Sequence, residues 1–81
     1  VRGYGGVLMN MRDADHLTLE WLIHLGGWRT SAEVAESMGE SVEFASLALL
    51  RLSWRGVVEL GTGSRAMRTW RLRPDLNTEA T

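Results

Sequence analysis

The stretch Thr30-Ser31-Ala32-Glu33-Val34-Ala35-Glu36-Ser37-Met38-Gly39-Glu40-Ser41 decides the fold. Thr30 and Glu33 stand three apart as a capping box. The threonine hydroxyl takes the N3 amide and the glutamate returns to the N-cap amide, so a helix is predicted over Ser31 to Met38. Gly39 breaks it, because only glycine enters the left-handed region without penalty. Ser41 then caps a third helix that runs to about Trp54 and is closed by Gly56. Two short helices joined by a tight glycine turn make a helix-turn-helix.

Upstream, Asp13 and Asp15 suit a helix N-terminus, and Leu17, Leu19, Trp21, Leu22, Ile23 and Leu25 follow before Gly26-Gly27. Only His16, Glu20 and His24 form a polar sector on this first helix. A helix with one buried face needs less apolar surface than that. It therefore lies deep in the core or turns a second face to another chain. Beyond Gly56 the apolar period falls to two. Val58 and Leu60 share a face, Thr62-Gly63-Ser64 turn the chain, and Arg68, Trp70 and Leu72 share a face again, which predicts a β-hairpin. A short third strand around Trp28-Arg29 would join it.

The domain is expected over 13–74. Residues 1–12, with three glycines and no period, read as a flexible arm, and 75–81, after Pro74, as a frayed tail. Eighty-one residues allow one small domain. No apolar stretch nears the roughly 20 residues of a membrane span. The N-terminus lacks the layout of a signal peptide, so a cytoplasmic location is expected.

From Thr30 to Ser41 the chain resembles the second helix and turn of winged helix-turn-helix DNA-binding domains. The likeness continues through the apolar positions Ala45, Leu49 and Leu52, then Gly56 and the strand Val57-Val58-Glu59, and covers residues 16 to 73. It implies an α+β winged helix-turn-helix of three helices followed by a two-stranded wing. Within that superfamily the chain is similar to small phase-variation regulators of pilus operons. That likeness is carried by the double glycine before helix two, the run Leu47-Ala48-Leu49-Leu50-Arg51-Leu52 and the wing string Gly63-Ser64-Arg65-Ala66-Met67-Arg68-Thr69-Trp70. It implies a second DNA-binding protein as partner. Binders of Z-form nucleic acid share the architecture but carry Asn and Tyr where this chain has Ser46 and Leu50.

The net charge of −1 hides a strong polarity. Residues 1–48 carry three arginines against seven acids, whereas 49–74 carry six arginines against Glu59 alone. There is no lysine, so every side-chain cation apart from histidine is a guanidinium. In the fold implied by the resemblance, the third helix enters the major groove. Ser41, Val42, Glu43 and Ser46 are then the base-facing candidates, with Arg51 on the same arc. Glu43 suits a cytosine amino group, and Phe44 a thymine methyl. Arg65, Arg68 and Arg71 of the wing are the phosphate or minor-groove candidates.

An alternative competes. Phe44, Leu47, Leu50 and Trp54 make an apolar stripe on the outward arc, of the kind that marks a protein interface. The leading expectation is a DNA-binding transcriptional regulator that contacts double-stranded DNA as a homodimer or with a larger partner protein. The alternative is a protein-interaction winged helix without direct DNA contact. All four tryptophans are expected in the core. His16 and His24, eight residues apart, do not form a compact ligand set. There is no cysteine for a zinc site or disulfide, and neither glycine cluster is a phosphate loop. No enzyme, cofactor or metal is expected.

Overall fold

The computed structural model describes residues 11–76. Three helices, α1 (Asp13–Leu25), α2 (Ser31–Met38) and α3 (Val42–Trp54), combine with three short strands, β1 (Arg29–Thr30), β2 (Val58–Leu60) and β3 (Thr69–Leu72). The strands form one antiparallel sheet in the order β1-β3-β2. The hairpin is therefore joined by a third strand beside its second arm. Arg29 pairs with Trp70 and Thr30 with Thr69, while Val58, Glu59 and Leu60 face Leu72, Arg71 and Trp70.

The helix boundaries follow from local chemistry. Thr30 Oγ1 accepts from the Glu33 amide at 3.0 Å, and the Thr30 amide donates to Glu33 Oε1 at 2.8 Å, completing the capping box. Gly39, at φ +73°, is left-handed, and the Glu40 amide returns to the Ala35 carbonyl at 3.0 Å. Ser41 Oγ accepts from the Phe44 amide at 3.1 Å and opens α3. No side chain caps α1, whose first turn instead carries Asp13 and Asp15.

Ala45, Ala48, Leu49 and Leu52 of α3 are fully buried, and Ala45, Leu49 and Leu52 join Leu19 and Leu22 of α1, Val34 and Ala35 of α2, and Val57, Val58 and Trp70 in one cluster. Each large aliphatic side chain among them contributes about 1.5–3 kcal/mol by leaving water. Met11 also belongs to this cluster. Residues 1–10 of the expected arm and 77–81 of the expected tail lie outside the described residues.

Three expectations are corrected. First, α1 does not lie deep in the core: its buried residues are Asp15, Thr18, Leu19 and Leu22, while Leu17 and Ile23 stand exposed on other faces. Second, Arg51 is not available on the outward arc: it is held by Asp15, which stands in the first turn of α1 as expected. Asp15 is buried, and Arg51 grips it from α3, Nε donating at 3.0 Å to each carboxylate oxygen and Nη2 at 2.8 Å to Oδ1. These hydrogen bonds raise the Arg51 pKa above its ordinary value, so the guanidinium stays charged. Third, of the four tryptophans only Trp70 is buried; Trp21 is half-buried, and Trp28 and Trp54 are exposed.

Removing one partner of a buried ion pair strands the other charge. Arg51→Met, which leaves the buried Asp15 carboxylate without its partner, should therefore lower stability by about 3 kcal/mol in urea denaturation. Asp15→Leu combined with Arg51→Met should cost less than the sum of the two single changes.

The Thr30 amide bond, together with the Thr30 hydroxyl and nearby Arg29, holds the Glu33 carboxyl below its ordinary pKa. A carboxylate depressed in the folded state stabilises above its unfolded pKa and loses that contribution as pH falls through the folded value. Thermal melts across the acid range should thus show a shallower loss of Tm for Glu33→Gln than for the parent.

Candidate nucleic-acid interface

The chain between β2 and β3 is longer than a simple hairpin turn. Gly61 and Thr62 still pair with Thr69, the Gly61 amide donating to the Thr69 carbonyl at 2.8 Å and the Thr69 amide to the Thr62 carbonyl at 2.9 Å. Beyond them the tip closes on a single 3₁₀ turn, Arg65–Met67. Gly63 has φ +90°, and a Cβ there would overlap the Met67 carbonyl oxygen. Arg65, at φ +53°, is the one non-glycine residue with positive φ among the described residues. Such a conformation costs of order 1 kcal/mol or more and persists only where its surroundings enforce it.

The enforcing contacts come from beneath. The Ser31 amide donates to the Arg68 carbonyl at 2.9 Å, and the buried Trp70 indole Nε1 donates to Ser31 Oγ at 2.8 Å. The turn is thereby tied to the start of α2 and set beside α3. An open groove of about 530 Å³ runs between them, lined by Val42, Glu43, Ser46, Leu47, Arg65 and Ala66. A smaller cleft of about 130 Å³ continues it through Leu50, Arg68, Ser31 and Trp70.

Most of the base-facing and wing candidates meet at this groove. Glu43 is exposed in the first turn of α3, Ser46 and Val42 form the helix edge, and Ser41 is exposed at the cap. Arg65 and Arg68 face them from the wing turn. Neither arginine is paired with a carboxylate among the described residues.

Two candidate arginines are drawn elsewhere. Arg51 is committed to Asp15, because its position on α3 turns toward α1 and away from the outward arc. Arg71 donates to Glu59 across the strands at 2.7 Å, and its guanidinium lies 4.6 Å from the centre of the Trp28 ring. Arg73, also in the basic third, binds Asp75 and the Gly56 carbonyl. The basic excess of the C-terminal third is therefore largely neutralised within the fold.

The apolar stripe divides as well. Leu47 and Trp54 stand out at 56% and 74% exposure, two helical turns apart. Leu50 packs against the core below the groove, and Phe44 is half-buried. Sequence reasoning missed Ala66, Ser31 and Trp70 as walls of the groove. It also missed the exposed Met67 beside them, although all but Ser31 fall in the wing string. Among the described residues no group of three or more His, Asp or Glu side chains is placed to hold a metal ion.

No protein-family model matches the chain, and no curated protein sequence matches it. Solved structures do. The homodimeric winged helix-turn-helix DNA-binding domain (fragment 1–100) of Mb0332 from Mycobacterium bovis, a possible ArsR-family transcriptional regulator, superposes with a TM-score of 0.70 at 23% identity, over 95% of this chain and 68% of that one. A crystal structure of a possible transcriptional regulatory protein (fragment 1–100) from the same organism gives 0.68 at 22% identity, covering 95% and 78%. NMB1585, a MarR family regulator from Neisseria meningitidis, gives 0.67 at 20% identity, covering 89% and 51%. The fold is a winged helix-turn-helix. At these identities the likeness speaks for the architecture, and the wing is the β2–β3 hairpin with its 3₁₀ tip.

The position of that tip depends on Gly63. Gly63→Ala should destabilise the winged helix by about 1–3 kcal/mol, from its positive φ and the overlap with Met67. Amide resonances of Arg65–Arg68 and of Ser46 and Leu47 should shift together in heteronuclear spectra, because the turn and α3 share the groove.

Proposed function

We propose that this winged helix is the DNA-binding domain of a transcriptional regulator. In this reading α3 enters the major groove while Arg65 and Arg68 hold the phosphates beside it. The observation that carries it is the pairing pattern of the wing. Arg71 and Arg73 are neutralised by nearby acids, whereas the two arginines bordering the α3 groove pair with no carboxylate among the described residues. Ser41, Val42, Glu43 and Ser46 supply the base-facing edge. Arg51 and Arg71 act structurally, one fixing α1 to α3 and the other stiffening the sheet.

The functional unit is residues 13–74, working in the cytoplasm and without catalysis. It acts as a dimer, or with a larger DNA-binding partner as the likeness to pilus phase-variation regulators implies. The exposed Leu17 and Ile23 on α1 offer association surface. One observation favours a second reading. Leu47 and the largely exposed Trp54 share an outward face, which suits a protein partner.

Fluorescence anisotropy on a mixed-sequence duplex across a salt series separates the two. Direct binding predicts micromolar or tighter affinity at low salt that weakens with salt. Arg65→Ala with Arg68→Ala should reduce the log–log slope by about 2. Arg71→Ala should lower Tm and leave the slope unchanged. Absence of binding at low salt overturns the DNA reading in favour of a protein bound at Leu47 and Trp54.

A further inference from the structure

The readout edge of α3 is defined by what it lacks. From Ser41 to Leu50 there is no Arg, Lys, Asn or Gln. The first cation, Arg51, is held by Asp15. Guanine is read by bidentate Arg or Lys and adenine by bidentate Asn or Gln. This helix presents neither kind of reader. It presents the Glu43 carboxylate and, one turn on, the Leu47 side chain, both exposed and both lining the groove that Arg65 closes.

A carboxylate only accepts hydrogen bonds. The major groove offers it two donors, cytosine N4 and adenine N6. Adenine N6 lies between two acceptors, its own N7 and the paired thymine O4, and both repel a carboxylate. Cytosine N4 has one such neighbour, guanine O6, and its other flank is the C5 edge. Glu43 is therefore matched to cytosine. Residues at i and i+4 have Cβ atoms about 5–6 Å apart on one helix face. The side chain beside that carboxylate is thus Leu47, and Phe44 stands about 100° round the helix from Glu43. An exposed leucine gains most where the groove itself is apolar, and the apolar group there is the C5-methyl of thymine.

Resting on the DNA reading above, we propose that α3 reads a pyrimidine-rich strand, with Glu43 accepting from a cytosine amino group and Leu47 packing on the C5-methyl of a neighbouring thymine. Arg65 and Arg68 offset the cost of bringing a carboxylate toward phosphates. At guanine or thymine Glu43 meets no donor, and at adenine the flanking acceptors oppose it, so it selects by weakening wrong complexes.

The test is selection of bound duplexes from a randomised pool by the full chain, followed by anisotropy on the enriched duplex. Enriched sites should place cytosine next to thymine. Replacing that thymine by uracil should weaken binding about fourfold, the value of one methyl group. Exchange of the same thymine for cytosine and then for 5-methylcytosine distinguishes the methyl from the rest of the base. These arms use the parent protein, so no variant need fold. Glu43→Gln should move the preference from cytosine to adenine, because glutamine is the bidentate partner of adenine N6 and N7. Leu47→Ala should abolish the thymine–uracil difference.

Sites rich in contacted guanine, indifference to uracil, or an unchanged site for Glu43→Gln would each overturn the base assignment while leaving DNA binding in place. No binding or enrichment at low salt overturns the DNA reading and this inference together.

Discussion

Trp70 is the residue on which the rest of the molecule is assembled. It is the largest side chain in the core, sits on the central strand, and pairs with Arg29 on one side and Leu60 on the other. Burying an indole without a partner for its N–H would be costly, so the bond to Ser31 Oγ is a condition of that burial. The same bond fixes the start of α2 against the sheet. Because α2 leads through the Gly39 turn into α3, the wing and the third helix are positioned by a common joint. The groove between them is the surface expression of that joint, with Trp70 as part of its floor.

A second constraint governs α3 from the opposite edge. The Asp15–Arg51 pair ties α1 to α3 with its carboxylate buried and its guanidinium partly open to water, so stranding the carboxylate is costly while the pair as a whole adds little net stability. Its contribution is orientation. With Arg51 turned toward α1, the helix has its roll fixed, and Glu43, Leu47 and Trp54 face outward while Ala45, Ala48, Leu49 and Leu52 face in. The loop-end arginines act similarly. Arg29 donates to the Leu25 and Gly26 carbonyls at the end of α1, and Arg73 to the Gly56 carbonyl beyond α3.

Helix limits were legible because caps and glycine stops are local. Thr30, Glu33, Gly39 and Ser41 specify α2 and the start of α3 through bonds within four residues. The inward positions of α3 were legible from its period, and the third strand at Arg29 from its place beside the hairpin. What escaped was pairing across distance. Asp15 and Arg51 are 36 positions apart, and nothing in either neighbourhood names the other. Counting wing arginines gave a basic patch, whereas Glu59 and Asp75 reduce it, among the described residues, to two members bordering the groove without a carboxylate partner. Tryptophan burial failed for a related reason. A core this small closes around Trp70, leaving Trp28 at the sheet surface beneath Arg71 and Trp54 at the open end of α3.

This internal neutralisation bears on how the proposed regulator must work. Each phosphate contact releases roughly one counterion, and proteins with strong salt-dependent affinity make about six to ten such contacts. In the proposed reading Arg65 and Arg68 would supply two per copy, with Glu43 opposing them nearby. In that reading one copy would therefore be a weak ligand for DNA at physiological salt, with a readout edge that adds selectivity more than affinity. Joining two copies, or one copy and a partner, converts the second engagement into an intramolecular step and multiplies affinity without further contacts. On this reading association is what makes a modestly charged winged helix sufficient, and the exposed apolar residues of α1 are as necessary to function as the arginines of the wing.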